Sequence, residues 1–521
     1  MAKLIERHII ERQHGARPAL IDERGSRSWA ELDRRANRLI NAIRSVGVGA
    51  GDVIAVYAGN RAEYFEIMVA AGHMGVLYVP VNWHFTPEEV AYVIGNAEAK
   101  VLIADAQFAA NAAAAIARDE TPALLRCLAV GGAIAGFDDY EAFLAAAPES
   151  EPPDQTLGGP MFYTSGTTGR PKGVRSSTNR APVPVETMAM MSAGLSNMLA
   201  LPAGGTTLLC GPVFHSAQWA FSYLPLLAGS TVVMRQRFDP AEVLRLIDEH
   251  SVTNVHLVPT QFHRLLRLDD AVRKGFRGTS LQAVWHGAAP CPADVKRRMI
   301  DWWGPVVHEY YGSTEGSIVT TARAEEWLAR PGTLGKPSAL VELRIVRDDG
   351  SAAGAGEPGR IYVKNRMGSD FEYHKEPNKT AAAHLEPGVF TFGDIGYLDA
   401  DGYLFMSDRA IDMIISGGVN IYPAEIESVL VTHPAVQDAA VFGIPNEEFG
   451  EEVKAAVQVR AGHRADDALR DALIEHCRAH LAGYKAPRSV DFVDDMPRHE
   501  TGKLYKRLLR DRYWEGTGRK I

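Results

Sequence analysis

The chain has 521 residues, which is too long for one hydrophobic core and predicts about two to four domains or subdomains. Its 46% apolar and 23% charged residues are typical of a globular protein, and its formal charge of −9 argues against a nucleic-acid partner. Its four cysteines lack metal-ligand or CxxC spacing, which predicts reduced thiols. A charged N-terminus and the lack of an apolar run of ~18 residues predict a cytoplasmic protein without a signal peptide or transmembrane segment.

Helix and strand patterns alternate along two stretches of the chain. The first is predicted to contain helices from 28, over 64–74 and from 87, and strands at 53–57, 76–81 and 100–103. The second is predicted to contain strands at 231–234, 254–258, 281–285 and 306–310 and helices at 240–250, 261–268 and 293–303. This alternation predicts two α/β units with parallel strands and helices on their faces.

The remainder of the chain changes character twice. Between 340 and 408, glycines separate short β-like runs, which predicts a small antiparallel sheet or barrel. After 412, a helix near Pro423, strands at 439–442, 453–459 and 490–493 and a helix at 465–481 follow. About 110 residues suffice for an independent domain, so we expect a small α+β domain at the C-terminus.

The most informative segment is Tyr163-Thr-Ser-Gly-Thr-Thr-Gly-Arg-Pro-Lys-Gly173. Its backbone N–H groups, hydroxyls and single ammonium suit a polyphosphate, although Gly, Ser and Thr clusters are commonly surface turns. The ordinary nucleotide P-loop requires Gly-Lys-Ser/Thr, whereas Lys172 lies between Pro171 and Gly173. That template therefore fails.

Two further clusters lie near predicted strand ends, where ligands of open α/β sheets bind. The segment Tyr310-Tyr-Gly-Ser-Thr-Glu-Gly316 offers a carboxylate for Mg²⁺ and a hydroxyl for phosphate, with a capped turn as the alternative interpretation. Upstream, His286-Gly-Ala-Ala-Pro290 supplies small residues that allow a flat base to approach closely.

Two more clusters complete the set. Phe392-Gly-Asp-Ile-Gly396, followed by Asp408-Arg409, offers a carboxylate able to accept two O–H donors, although an Asp in such a turn is commonly a backbone cap. Near the C-terminus, Arg498-His-Glu-Thr-Gly-Lys503 ends in a lysine that in isolation reads as a solvated surface group.

In this order the clusters resemble the signatures of the adenylate-forming superfamily, which includes acyl-CoA synthetases, luciferases and peptide-synthetase adenylation domains. The resemblance covers residues 22–506. It implies that Lys503 bridges the carboxylate and the α-phosphate as the main catalytic side chain, that Thr314 contacts the α-phosphate, and that Asp394 binds the ribose hydroxyls with help from Arg409. It also implies Mg²⁺ ligands at Thr164 and Glu315. The remaining ATP-binding residues implied are Ser165, Gly166, Thr167, Thr168, Gly169, Lys172, Gly287, Ala288, Ala289, Glu309, Tyr310, Tyr311 and Gly312.

Three features resemble the acyl-CoA ligase branch, in which the CoA thiol attacks the acyl-adenylate. The chain ends soon after Lys503, which leaves no room for a fused carrier domain, and Val213-Phe-His-Ser216 lacks an acidic residue for a substrate ammonium. His215, a further candidate catalytic residue, matches a residue that borders the acyl pocket and thioester tunnel, with a packed core histidine as the alternative. The third feature is residues 412–427, which match the loop that CoA ligases move into the site and imply Ser416, Gly417 and Gly418 as CoA-binding residues. Lys485 and Arg488 are also expected to bind CoA, although they fit a basic surface loop equally well.

The resemblance implies an ATP-dependent acyl-CoA ligase with Mg²⁺ and CoA, acting on a fatty or other hydrophobic acid. An aromatic acid, loading of a carrier protein and a non-catalytic nucleotide-binding regulator are the alternatives, and a homodimer is left open. The expected acyl pocket comprises His215, Trp219, Phe221, His286, Gly287, Tyr311 and Gly312.

The resemblance also implies a fold: an N-terminal domain (1–408) of two α/β subdomains and a β-barrel-like subdomain, a hinge (409–411) and a mobile α+β domain (412–521). The family hinge is commonly Asp or Lys, but here it is Ile411. A hinge needs neither charge nor small size, so we expect domain rotation to be retained with altered kinetics.

Overall fold

The structure is a computed structural model that describes residues 15–164, 171–176, 183–289, 291–409, 412–416, 419–446, 449–481, 483–498 and 504–515. Nine residues singled out in the sequence lie outside this description: Ser165, Gly166, Thr167, Thr168, Gly169, Ile411, Gly417, Gly418 and Lys503.

The first part of the chain builds a parallel α/β unit. Helix starts follow local capping rules: Ser28 Oγ accepts from the Glu31 backbone, and Thr86 and Glu89 form a reciprocal capping box. The elements are β1 Pro18–Asp22, β2 Gly25–Ser28, α1 Trp29–Ser45, β3 Val53–Tyr57, α2 Ala62–Met74, β4 Leu77–Pro80, α3 Pro87–Asn96, β5 Val101–Asp105, α4 Ala109–Ile116, β6 Arg126–Val130, β7 Asp138–Asp139, α5 Tyr140–Ala145 and β8 Gly159–Pro160. Six of these strands pair in parallel, within the described residues, in the order β7-β6-β5-β3-β4-β8.

The second part builds a larger mixed sheet. Its elements are β9 Phe162–Thr164, β10 Lys172–Ser176, α6 Glu186–Met198, β11 Thr206–Leu209, α7 Ser216–Leu227, β12 Thr231–Met234, α8 Pro240–Glu249, β13 Asn254–Leu257, α9 Pro259–Leu266, α10 Asp270–Gly275, β14 Ala283–His286, α11 Ala293–Trp303, β15 Val307–Ser313, β16 Ser317–Ala322, α12 Ala324–Ala329 and β17 Lys336–Pro337. The strand order is β17-β16-β15-β14-β13-β11-β12-β1-β2, parallel at its centre and antiparallel at both edges. The N-terminal strand β1 thus crosses to the second sheet.

The third part is an antiparallel sheet, as the glycine spacing predicts. It follows the order β18-β19-β22-β21, with β23 also paired to β22, while β20 joins the separate β9–β10 hairpin. The elements are β18 Val341–Val346, β19 Gly359–Asn365, β20 Phe371–Tyr373, α13 Pro377–Ala383, β21 His384–Glu386, β22 Val389–Leu398 and β23 Leu404–Arg409.

The last part is α+β, with strand order β25-β24-β27-β26 and β28 parallel to β27. Its elements are β24 Ile414–Ser416, β25 Val419–Ile421, α14 Pro423–Leu430, β26 Val436–Asn446, β27 Gly450–Val459, α15 Asp467–His480, β28 Ser489–Phe492 and α16 Lys506–Trp514. The α/β fold with a smaller C-terminal α+β part, expected from the sequence, is therefore confirmed. Within the described residues, no helix is both long enough and apolar enough to cross a bilayer.

Three buried histidines lie on neighbouring strands of the second sheet. His256 and His308 are 2% and 6% exposed and His286 is fully buried. Burial lowers the pKa of His256 and of His308 to about 3, and it lowers the pKa of His286 well below 6.5. All three are therefore neutral in the native protein near pH 6, whereas an unfolded chain begins to protonate them there.

Because these three histidines are buried and neutral, we expect the free energy of unfolding to decrease at acid pH. Because their native pKa values are depressed, their stabilising contribution is complete above pH 6.5 and decreases as the pH falls towards 3. The free energy of unfolding should fall by up to about 1.4 kcal/mol per pH unit for each histidine. The measurement is the slope of the unfolding free energy against pH, from urea unfolding between pH 6.5 and 5. His256→Gln should reduce this slope by up to about 1.4 kcal/mol per pH unit, the value for one proton, and the exposed-residue control His84→Gln should not. Equal slopes for His256→Gln and wild type would contradict this assignment.

Candidate active site

The two ends of the candidate phosphate loop are held by a β-hairpin. Lys172 is the direct cross-strand partner of Thr164 in the β9–β10 pair, so the last residue of β9 faces the first residue of β10. A Cβ on Gly173 would lie 3.1 Å from the ring of Tyr163 and 3.2 Å from Cβ of His374. A side chain at this position would therefore require Tyr163 or His374 to shift by a few tenths of an ångström.

Strand β20 brings an aromatic residue that sequence analysis missed to this hairpin. Tyr373 pairs with Val174 of β10, and its hydroxyl donates to Oε1 of Glu315 at 3.0 Å. The Lys172 ammonium lies 5.2 Å from the centroid of the same ring. Only the long-range strand pairing shows this arrangement, because 371–373 reads as one short β-run among several.

The segment 310–316 begins inside a strand, whereas the sequence placed it just past one. β15 extends to Ser313, and the turn to the antiparallel β16 contains Thr314 and Glu315. Ser313 Oγ accepts from the backbone N–H groups of Glu315 and Gly316, at 3.1 and 3.2 Å. The turn thus presents the candidate phosphate and metal side chains from a capped backbone.

The two consecutive tyrosines have different environments. The Tyr311 hydroxyl donates to Asp394 Oδ2 at 2.7 Å, which connects the strand motif to the predicted ribose carboxylate. Tyr310 is 7% exposed and its hydroxyl lies 3.0 Å from Nε2 of His256, with Phe221 packed beside it. Consecutive strand residues point to opposite faces, so Tyr311, rather than Tyr310, lies beside the candidate nucleotide site.

The predicted adenine wall follows β14. A Cβ on Gly287 would lie 2.7 Å from the Tyr310 ring, so the space left by this glycine is filled by Tyr310. Ala288 has φ of 67°, a left-handed conformation that costs a non-glycine residue roughly 1–2 kcal/mol. Such strain occurs often at functional sites, and it supports Ala288 and the adjoining Ala289 as candidate nucleotide contacts.

Asp394 lies on β22 and is only 5% exposed. Its direct partner across the β22–β23 pair is Arg409, the residue predicted to assist it. The strand register therefore places the two predicted ribose-binding residues side by side in the backbone.

The candidate catalytic histidine lies at the start of α7. His215 is half-buried, and its ring lies 4.3 Å from that of Phe214. The next residue, Ser216, has its Oγ 2.9 Å from Oγ1 of Thr314. The His215 segment and the strand motif are thus in direct contact.

The two aromatic residues expected in the acyl pocket lie on different faces of α7. Trp219 Nε1 donates to the Tyr78 hydroxyl of the first α/β unit, whereas Phe221 stacks on His256 of the second sheet at 4.8 Å. Residues two positions apart in an α-helix point in directions about 200° apart around the helix axis. Trp219 and Phe221 therefore do not form one wall of a pocket.

His286 and Glu309 also lie away from the other predicted residues. Lys296 of α11 donates to Glu309 Oε2 at 2.6 Å, and His286 Nε2 lies 3.6 Å from the same oxygen. Their strand neighbours Trp285 and Tyr310 pack on the opposite side, against Phe221. The structure therefore does not bring His286 to the acyl side or Glu309 to the nucleotide side.

The predicted CoA-binding residues of the C-terminal part take part in local contacts. Lys485 Nζ donates to both carboxylate oxygens of Glu425 at 2.7 Å, and the Arg488 guanidinium lies 4.5 Å from the Phe449 ring. Ser416 pairs with Gly450 in the β24–β27 ladder. Lys485 is therefore engaged in an ion pair, whereas Arg488 is exposed.

The site offers few protein ligands for a metal. No cluster of three His, Cys, Asp or Glu side chains suited to a metal ion occurs in the described parts of the chain. One carboxylate at Glu315 and one hydroxyl at Thr164 nevertheless fit Mg²⁺, which is usually held by one or two carboxylates together with substrate phosphates and water.

The fold and this arrangement of motifs define an adenylate-forming enzyme. The AMP-binding enzyme profile matches residues 6–368, and the profile of its C-terminal domain matches residues 425–503. The chain therefore belongs to the AMP-binding enzyme family.

Similar proteins support this assignment. The chain is 35% identical to a feruloyl-CoA synthase from Amycolatopsis sp, covering 93% of this chain and 94% of the relative. It is 29% identical to a medium/long-chain-fatty-acid–CoA ligase from Mycobacterium tuberculosis, covering 98% and 90%. The crystal structure of ATP-bound MatB from Rhodopseudomonas palustris superimposes with a TM-score of 0.84 at 28% identity, covering 99% of each chain. The interpretation as an AMP-forming acyl-CoA synthetase is confirmed.

Asp394 provides a direct test of the nucleotide site. A carboxylate that accepts two ribose hydroxyls should discriminate ATP from 2′-deoxy-ATP, because charge-assisted hydrogen bonds contribute about 1.5–3 kcal/mol each. Asp394→Asn should weaken ATP binding at least tenfold in calorimetric titration and should reduce the preference over 2′-deoxy-ATP. Tyr311→Phe is the matched control for the contact that orients Asp394 and should show a smaller loss. An unchanged preference in Asp394→Asn would exclude the ribose assignment.

Proposed function

We propose that this enzyme joins a hydrophobic carboxylic acid to coenzyme A in two steps, through an enzyme-bound acyl-adenylate. One observation supports the proposal most: contacts through Tyr373 and Tyr311 connect three motifs that are far apart in sequence. Lys172 lies over the Tyr373 ring, Tyr373 binds Glu315, and Tyr311 of the same strand motif binds Asp394. We therefore assign binding of the phosphates, the metal and the ribose to one connected set of residues.

The first step needs no general base. A carboxylic acid is ionised at pH 7, so catalysis consists of aligning its oxygen with the α-phosphorus and neutralising phosphate charge. Lys172 and the loop that follows Thr164 would hold the β- and γ-phosphates, and Thr314 would contact the α-phosphate. Mg²⁺ bound at Glu315 and Thr164 would neutralise part of the phosphate charge. Lys503 would stabilise the charge that develops between carboxylate and α-phosphate.

The second step replaces AMP by a thiol. The CoA thiol loses its proton to solvent and its sulfur attacks the acyl carbon. The bond between that carbon and the phosphate oxygen then breaks, and AMP leaves with the electron pair of that bond. His215 borders the acyl group in this proposal, next to Ser216 and Thr314. The division into 1–408, a hinge at 409–411 and 412–521, with rotation about Ile411 between the steps, is part of the same proposal.

The acid is assigned only as hydrophobic. Similar proteins include both a feruloyl-CoA synthase and fatty-acid–CoA ligases, so a fatty acid and an aromatic acid are both candidates. The separated directions of Trp219 and Phe221 place aromatic side chains on two sides of α7, which fits an extended chain better than a ring clamped between them.

An acid panel tests both the reaction and the acid class. Purified protein with ATP and Mg²⁺ should release pyrophosphate with at least one member of a series of straight-chain, cinnamic-type and benzoic-type acids, and should form its CoA thioester. Pyrophosphate release with transfer only to a carrier protein would support the carrier-loading alternative. ATP binding without turnover across the panel would support the regulatory alternative.

Lys503→Ala separates the two steps. Loss of the cation should reduce adenylate formation by about 10²–10³-fold or more, because the charge it stabilises develops in that transition state. Thioester formation from supplied acyl-adenylate should remain within a few-fold of wild type. Lys506→Ala is the nearby basic control, since its ammonium already pairs with Glu427 at 2.9 Å. Equal losses in both steps would contradict the assigned role.

A further inference from the structure

Tyr373 contacts two of the candidate ATP-binding residues at once. Its hydroxyl donates to Glu315 Oε1 at 3.0 Å, and its ring centroid lies 5.2 Å from the Lys172 ammonium. The second distance is within the range of a cation–π interaction. A single side chain thus connects the candidate metal ligand to the candidate phosphate ligand.

We propose that Tyr373 is a positioning residue for metal–ATP: its hydroxyl orients the Glu315 carboxylate and its ring holds the Lys172 ammonium. The inference rests on the proposed function, because it takes Glu315 as the Mg²⁺ ligand and Lys172 as a phosphate ligand.

The backbone around Tyr373 is fixed by several contacts. Strand β20 pairs with β10 over three consecutive residue pairs, ending at Tyr373 and Val174. The Tyr373 N–H donates to Thr380 Oγ1 at 3.0 Å, and the ring lies edge-on to Phe371 at 5.1 Å. A hydroxyl on so constrained a residue selects one orientation of the carboxylate that it contacts.

The hydrogen bond leaves one carboxylate oxygen for a cation. Oε1 of Glu315 accepts from Tyr373, whereas Oε2 has no hydrogen bond or ion pair with the described residues. A phenol hydroxyl is protonated near neutral pH, so Tyr373 is the donor in this hydrogen bond. An oriented carboxylate binds a metal ion with less loss of side-chain entropy.

The ring has a separate role at Lys172. Burial lowers the pKa of this lysine and Lys379 lowers it further, while Glu376 and Glu315 oppose the change. Lys379 itself pairs with Glu376 at 2.6 Å, so those two charges largely cancel. The Tyr373 ring therefore supplies stabilisation of the ammonium where burial disfavours it.

A purely structural role makes a different prediction. If Tyr373 only attaches β20 to the turn at Thr314–Glu315, removing its hydroxyl should lower thermal stability and weaken nucleotide binding equally with and without metal. If it positions Glu315, the loss should be confined to binding that involves the metal.

The test uses Tyr373→Phe in the full-length protein, with Mn²⁺ as a spectroscopic substitute for Mg²⁺. In the presence of ATP, the Kd for Mn²⁺ measured by electron paramagnetic resonance should rise about three- to tenfold, as expected for partial loss of a charge-assisted hydrogen bond. The calorimetric Kd for metal-free ATP should stay within twofold of wild type. Tyr373→Leu, which also removes the ring, should raise the metal-free Kd by about two- to fivefold.

Two controls make the result specific. In a Glu315→Gln background, adding Tyr373→Phe should change the Mn²⁺ affinity no further, because the group it orients is already altered. Tyr397→Phe removes a hydroxyl from a ring that stacks on Phe405 at 5.1 Å, and it should leave every constant unchanged.

The outcomes separate the inference from the proposed function. Wild-type protein that fails to bind Mn²⁺ with ATP would overturn the proposed function itself. Normal wild-type binding, with Tyr373→Phe either unaffected or equally weakened with and without metal, would overturn only the role of Tyr373.

Discussion

The pairing of β10 with β20 is the constraint on which the candidate site depends. It joins the hairpin that closes the phosphate loop to a strand about two hundred residues later in the chain. Through this pairing Tyr373 reaches both Lys172 and Glu315, which belong to different sheets. Hydrogen bonds of a short ladder thus hold Lys172, a proposed phosphate ligand, close to the turn that carries the proposed metal ligand Glu315.

Strand β15, which leads into the Thr314–Glu315 turn, is anchored to helix α11. Glu309 on β15 forms a buried ion pair with Lys296 of α11, whose ammonium also lies 4.7 Å from the Trp327 ring. Removing such charges from water is costly, and replacing them with apolar residues is frequently neutral or stabilising. We interpret the pair as fixing the position of β15 relative to α11, and thereby of the Tyr311–Glu315 segment that follows.

Local patterns predicted much of this structure because they depend on local physics. Capping residues and hydrophobic periodicity gave helices such as Ala293–Trp303 and strands such as Thr231–Met234 with their observed bounds. The side-chain direction of neighbouring residues was harder to predict. Tyr310 and Tyr311 were both expected at the nucleotide, but Tyr311 contacts Asp394 whereas Tyr310 faces His256, because consecutive strand residues point to opposite faces.

Long-range features could not be predicted from local patterns. Nothing in residues 18–22 indicates that β1 pairs with β12, where Thr231 Oγ1 donates to the Pro18 carbonyl at 2.7 Å. Tyr373 was missed for the same reason, since its significance arises only from pairing with β10. His286 and Glu309 were grouped with the site because they adjoin signature residues in sequence, but strand alternation turns them towards α11.

Helix α7 gives the two α/β units a common wall, and this limits how acid preference can evolve. Phe221 contacts His256 and Tyr310 on one side, while Trp219 and Tyr223 bind Tyr78 and the Met68 carbonyl on the other. In the proposed acyl pocket, shortening Phe221 to admit a bulkier acid would also remove these core contacts, at a typical cost of about 3–5 kcal/mol. New specificities are therefore most accessible to lineages that first acquire surplus stability elsewhere in the chain.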